Sequence, residues 1–313
     1  MNNKTLFTFI GIIIGILIAT TIFGICYKSK NNINMGMPSG DRRDPPNMQD
    51  GNGMPPDKPD ESGGGGPMSS ANVSYSSTNN ITEDSTLNDG NFSSEAKDEN
   101  AILVDNSSAV TIDNSTVNKT GDSEGGDTSS FYGNNSAILA KGGSKVTISN
   151  STITTSKDNS GGIMTTGGGV MNATNLIVTT AGTSSAAIRT DRGGGTVNVD
   201  GGTYKTTGQG SPIIYSTADI SVSNATLTST ASEGIVIEGK NSVSIDNCEL
   251  VDSNTKLNGM STTYKNIFLY QSMSEDAATG TSKFTAKNSN ITTNNILDVS
   301  KEDLTPTKII NTS

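Results

Sequence analysis

The 313-residue sequence has no histidine and no tryptophan, two cysteines (Cys26 and Cys248) and four arginines. Without histidine there are no imidazole general bases, His metal ligands or Ser-His-Asp triads. Two cysteines do not make a disulfide framework. Scarce arginine in a chain of net charge −10 gives no basic surface, so nucleic acid is not an expected partner. Apolar residues reach only 31% and aromatics 4%, against roughly 45–50% apolar, glycine included, in ordinary globular proteins. A thick multilayer core is therefore not expected. The charged fraction, 17%, is also too low for a highly charged disordered chain.

What is present falls into three parts. Residues 6–25, LFTFIGIIIGILIATTIFGI, carry no charge. As a helix rising ~1.5 Å per residue, such a run spans about 30 Å, the hydrocarbon core of a bilayer. Lys4 precedes it, and Tyr27, Lys28 and Lys30 follow as interfacial anchors. No small-residue cleavage pattern closes the run, and Ile25 stands where a lipobox would place a small residue before Cys26. Residues 1–30 thus read as an uncleaved signal anchor in the lipid bilayer. Residues 31–74 hold seven of the nine prolines and the run Gly63-Gly64-Gly65-Gly66, and read as a disordered linker.

From residue 75 to 313 the chain repeats. Ala101-Ile102-Leu103-Val104 with Val110-Thr111-Ile112-Asp113-Asn114 recurs as Ala137-Ile138-Leu139-Ala140 with Val146-Thr147-Ile148-Ser149-Asn150. Shorter echoes follow at Ile163, Ile188, Ile213, Ile235 and Ile267. Each unit alternates apolar and polar residues over short segments divided by Gly, Asn, Asp and Ser, which is the pattern of strands with one face inward. Stacked coils need few apolar residues per turn, so an all-β, single-stranded β-helix accommodates the low apolar content. Asn114, Asn150, Asn175, Asn224, Asn247 and Asn288 recur before the last strand of a unit. There they suit a left-handed corner and a stacked amide ladder. Thr pairs at 154–155, 179–180, 206–207 and 292–293 put one member of each pair outward and one inward.

These repeats, with the strings SGGIMTTGGG, SSAAIRTDRGGGTV, GSPIIYSTAD, SEGIVIEGKNSVS and IFLYQSMSEDA, resemble the adhesin-like right-handed parallel β-helix surface proteins of clostridia and related Gram-positive bacteria. More widely they resemble the pectate-lyase-like superfamily. The resemblance covers residues 75–313 and implies a right-handed parallel β-helix (solenoid) in an extracellular setting. It implies little about activity, because the same coil serves adhesins, carbohydrate binders, lyases and glycosidases. Unlike many such relatives, the sequence reaches Ser313 within an incomplete coil, 296–310. That edge is expected to be open to pairing.

Arg189-Thr190-Asp191-Arg192 is the sharpest local feature. Aligned coils are expected to place Tyr215, then Ile237 or Glu238, then Tyr270 and Gln271 beside Arg189, about 4.8 Å apart along the outer face. Aromatic faces suit pyranose rings, and Arg suits a uronate carboxylate. The plainer alternative is that Arg189 and Arg192 pair with Asp191, Glu233 or Glu238 and neutralise a loop. An enzyme would use Asp191, Glu233 and Glu238, two of them as a glycosidase pair about 5–10 Å apart. The His beside the acids of polygalacturonase-like enzymes, and the adjacent Asp residues of lyase calcium sites, have no counterpart. No cofactor is expected, with calcium as an option at Asp122, Glu124 and Asp127, where a solvated acidic loop is the other reading. The expected protein is single-pass and membrane-anchored, with its C-terminal domain outside the cell. It would act in adhesion or polysaccharide binding against an extracellular polysaccharide or a host or neighbouring cell surface. A lyase or hydrolase is the alternative, and a structural surface rod a further one.

Overall fold

A computed structural model describes residues 73–125, 127–258, 264–271 and 278–294, with the backbone alone at 127–128 and 310–311. The anchor at 6–25, nearly all of the 31–74 linker and most of the final incomplete coil lie outside the described residues. No helix among the described residues is long and apolar enough to cross a membrane. The described chain forms a parallel β-solenoid of the right-handed type with about 7 turns.

One sheet stacks eight strands, one per coil: Ser76–Ile81, Glu99–Val104, Ile138–Ala140, Ile163–Thr165, Ile188–Thr190, Ile214–Ser216, Ile235–Glu238 and Ile267–Tyr270. The second sheet has 14 strands, because most coils cross it with two segments. In the middle coils the two segments run together as Gly169–Thr180, Gly195–Thr206 and Asp219–Ser229. Parallel register puts like on like. Ile102, Ile138, Ile163, Ile188, Ile214, Ile235 and Ile267 form one inward ladder. Val110, Val146, Met171, Val197, Ile220, Val243 and Phe284 form another. Each fully buried side chain of this kind stabilises by roughly 1.5–3 kcal/mol, so a narrow core suffices.

All six recurring asparagines adopt the left-handed conformation, with φ between 48° and 55°. Asp89 and Gly201 occupy the same corner in other coils at φ 53° and 76°. The amides form a ladder only in part. Asn247 Nδ2 donates to Asn224 Oδ1 at 2.7 Å, but Asn150 and Asn288 reach back to Asp113 and Asp246, each at 2.9 Å. The carboxylate just before the corner is the stronger acceptor, so it takes the amide where it is present.

Equivalent residues of successive coils lie 23 to 26 positions apart in most turns. The separation is 36 between Ser115 and Ser151, and 41 between Cys248 and Ser289. The first excess is an insertion that contains the short helix Asp127–Tyr132.

The inner face also carries a polar column: Ser94, Lys119, Thr155, Thr180, Thr206, Ser229 and Asp252, all buried. The inward Thr of the pairs at 154–155, 179–180 and 206–207 therefore faces the corner rather than the apolar ladder, whereas Thr292 and Thr293 are both exposed. Thr155 and Thr180 donate to the carbonyls of Ser160 and Ser185. Tyr204 is fully buried in the neighbouring apolar column, and its hydroxyl has no hydrogen-bond partner among the described residues. Tyr204→Phe is accordingly expected to stabilise the domain by about 1 kcal/mol, a rise in Tm of about 2–4 °C at this size. A thermal melt showing a fall would contradict that.

Candidate functional site

The outward side chains of the eight-stranded sheet make the site. Between the inward residues of three consecutive strands stand Leu103, Leu139 and Met164, apolar yet outward, and all three are buried. The insertion covers them. Tyr75 Oη donates to the Tyr132 carbonyl at 3.2 Å, and Asn100 Nδ2 donates to the carbonyls of Gly133 and Ser136 at 2.7 and 2.8 Å. Gly133 has φ 73°, and a Cβ there would lie 2.6 Å from Met164 Sδ, so this close crossing requires glycine.

Arg189 is next in this column, followed by Tyr215, Val236 and Phe268. This corrects the expected alignment: Tyr215 pairs with Val236, and Glu238 pairs with Tyr270 two residues further along. The cause is the isoleucine ladder, which sets Ile214 against Ile235. Nor does Arg189 project into solvent. It is 5% exposed because Phe131 of the insertion lies over it, the ring centroid 5.6 Å from the guanidinium carbon. Tyr215 stacks at 4.3 Å. Arg192 lies 5.0 Å from the Phe131 centroid and 5.8 Å from that of Tyr132.

Arg189 Nε and Nη2 both donate to Asp191 Oδ2, at 2.9 and 2.6 Å. Asp191 Oδ1 accepts from the Arg192 backbone N–H at 2.9 Å. Burial pushes the Asp191 carboxyl up to about 6, against the pull of Arg189 and of the Arg192 N–H. It is thus ionised at neutral pH. Burial alone would lower the Arg189 value, but Asp191 overrides it and holds the guanidinium charged.

Glu238 Oε2 accepts from Tyr215 Oη at 2.7 Å and from Tyr270 Oη at 2.9 Å, and the two hydroxyls are 2.9 Å apart. Burial raises both phenols, with added repulsion from neighbouring groups. Phe268 stacks on Tyr270 at 4.7 Å with the rings 5° from parallel. Glu233, 6% exposed, accepts from Ser232 Oγ at 2.8 Å through Oε2.

These groups border a cavity of about 470 Å³ whose lining includes Phe131, Arg189, Tyr215, Glu233, Phe268 and Tyr270. Of the residues singled out from sequence, Arg189, Tyr215, Glu233 and Tyr270 line it directly. Asp191 and Glu238 brace them from behind. Arg192 sits against the insertion, and Gln271 follows Tyr270 half-buried outside the lining. Asp191, Glu233 and Glu238 do not converge as carboxylates on the cavity, since only Glu233 lines it. Phe131, Val236 and Phe268 were not anticipated.

The proposed calcium residues are engaged separately. Glu124 pairs with Lys97 at 2.5 Å, and Asp122 accepts from the Ser123 N–H at 2.9 Å. The Asp127 side chain lies outside what is described. Among the described residues no three His, Cys, Asp or Glu side chains form a metal-sized group.

Fold and site together define an all-β parallel solenoid with a partly roofed aromatic groove on one sheet. The chain matches no known family, no curated protein and no solved structure.

Proposed function

We propose that the groove between Phe131 and Tyr270 binds a polysaccharide, in a protein held at the cell surface by residues 6–25. The observation that carries this reading is the cavity of about 470 Å³, which presents four aromatic side chains beside a few fixed polar groups. That is the size and make-up of a small-ligand site. Stacked rings with their hydroxyls tied down offer flat apolar faces to sugar rings at low entropic cost. Adhesion to a neighbouring or host cell follows if the polymer belongs to that cell. Hydrolysis or elimination has weaker support, because Asp191 is bound by Arg189 and Glu238 by two tyrosines.

Tyr270→Ala is expected to weaken binding of the full chain to its polysaccharide at least tenfold, the scale of an aromatic contact of about 1.5 kcal/mol. Tyr270→Phe, which keeps the ring, is expected to retain most of it. Co-sedimentation with insoluble glycans and titration with soluble ones would measure both. Unchanged binding in Tyr270→Ala would move the site elsewhere. Absence of binding to every glycan would leave a structural rod. Release of reducing or unsaturated ends would establish the enzymatic alternative.

A further inference from the structure

Resting on the polysaccharide reading, the geometry points to a polymer carrying free amino groups, of the glucosamine type, rather than a uronate. We infer that the Glu233 carboxylate receives the sugar ammonium within the aromatic groove.

Among the described residues only two charged side chains line the cavity, Arg189 and Glu233. The Arg189 charge is spent internally: Nε and Nη2 are both committed to Asp191 Oδ2, and Tyr215 stacks on the guanidinium. A uronate carboxylate reaching the remaining Nη1 donors would bring a second anion against a guanidinium whose charge Asp191, 1% exposed, already balances, an arrangement with no net Coulomb gain. The uronate grip expected from the sequence therefore loses its uncompensated positive charge.

Glu233 is in the opposite position. Its Oε2 accepts from Ser232 Oγ, and its Oε1 takes no hydrogen bond among the described residues. A carboxylate that is 6% exposed and lines a cavity is a charge with one oxygen left for a donor. With Arg189 neutralised by Asp191, the net charge of the described lining is negative.

The rings add to this preference. Aromatic faces carry negative potential and attract ammonium groups. Phe268 already does so within the chain, with Lys265 Nζ 4.9 Å from its centroid. An acetylated amine would bring a neutral amide and a methyl group to Glu233. That leaves the carboxylate without a cation and desolvated, which is the usual origin of discrimination between such analogues.

The test is titration of the full-length chain in detergent with three tetrasaccharides at pH 6: glucosamine, N-acetylglucosamine and galacturonate. The glucosamine tetramer is expected to bind about tenfold or more tightly than the acetylated one, the worth of one charge-assisted hydrogen bond. Glu233→Gln keeps an acceptor for Ser232 and is expected to abolish that preference. In the unaltered chain the preference is expected to shrink in 0.5 M salt as the charges are screened. Equal or tighter binding of the acetylated or uronate tetramer would overturn the amine assignment and leave the polysaccharide reading standing. Binding of none of the three would overturn the amine assignment, and the polysaccharide reading would then be decided by the wider glycan panel. A preference that survives in Glu233→Gln would place the ammonium on another group and refute the role of Glu233.

Discussion

Asp191→Ala is expected to destabilise the solenoid by about 3–5 kcal/mol, the cost of leaving a buried cation without its partner. Arg189 is 5% exposed, Asp191 is 1% exposed, and two donors of the guanidinium end on one carboxylate oxygen. Removing the carboxylate strips both donors of their acceptor and also removes the oxygen that accepts from the Arg192 N–H. At this size the loss corresponds to a fall in Tm of about 10 °C. The double variant Arg189→Met, Asp191→Leu is expected to recover most of the stability, because it removes both charges and keeps apolar volume beneath Phe131. In a solenoid each coil contacts only its neighbours, so the damage is also expected to be local. Amide exchange should accelerate first at Ile188 and Ile214 and last in the coil of Ile102. Chemical denaturation of the single and double variants, with exchange by site, measures this. An Asp191→Ala variant within about 1 kcal/mol of the parent would show that the pair is not the brace of the groove.

The solenoid was legible because its determinants are periodic. Inward isoleucines and valines recur coil after coil, and the Asn corners declare themselves by position; all six adopt positive φ. The groove was only half legible, and for a definite reason. Its location follows from what covers the sheet, and the cover comes from an insertion with no repeat. A signal was nevertheless present in the runs Ile102-Leu103-Val104, Ile138-Leu139-Ala140 and Gly162-Ile163-Met164. Where inward residues alternate, the residue between them faces out, so apolar Leu103, Leu139 and Met164 require a cover. Tyr215 lies beside Arg189 as expected, but the next coil was displaced by one or two residues, because Ile213, Ile214, Ile235 and Ile237 are alike in kind. Only pairing chose Ile214 against Ile235. In a parallel sheet that slip exchanges Val236 for Glu238 in the groove. The polar inner column was hidden for another reason: Lys119, Thr155 and Asp252 fall inward by alternation with Val117, Ile153 and Leu250, but their polar side chains do not read as interior residues.

That inner column leads to the second large effect: the domain is expected to be less stable near pH 7.5 than at pH 4.5. Asp252 is 1% exposed, accepting from the Gly234 N–H at 2.8 Å and from Asn266 Nδ2 at 2.9 Å. Burial pushes its carboxyl from 3.8 up to about 7, Glu233 adding to the rise and the two donors opposing it. The folded state therefore holds this proton more tightly than the unfolded chain does. Above pH 7 the folded form carries the whole penalty of a buried charge. The penalty shrinks as pH falls and is gone below about 3.8. A shift of this size corresponds to about 4 kcal/mol between the two limits.

Lys119, in the same column, acts from the alkaline side. Burial lowers it from 10.5 to about 8, so its penalty is full below pH 8 and is relieved as pH rises toward 10.5. Surface carboxylates oppose the acid gain only lower down. Hydrogen bonds from Ser149 and Asn150 depress Asp113, and those from Asn224 and Ser223 depress Asp200. Their stabilisation is present above the ordinary carboxylate value and is lost below about pH 4. Stability should then peak between pH 4 and 5 and pass through a minimum near neutrality. Asp252→Asn keeps an acceptor for Gly234 and Asn266 without the charge. It is expected to be more stable than the parent at pH 7.5, similar at pH 4.5, and to lose most of the slope between them. Urea denaturation at those two pH values decides the matter. A parent chain that weakens on going from pH 7.5 to 4.5, or an Asp252→Asn variant with an undiminished slope, would mean that Asp252 does not hold its proton in the fold.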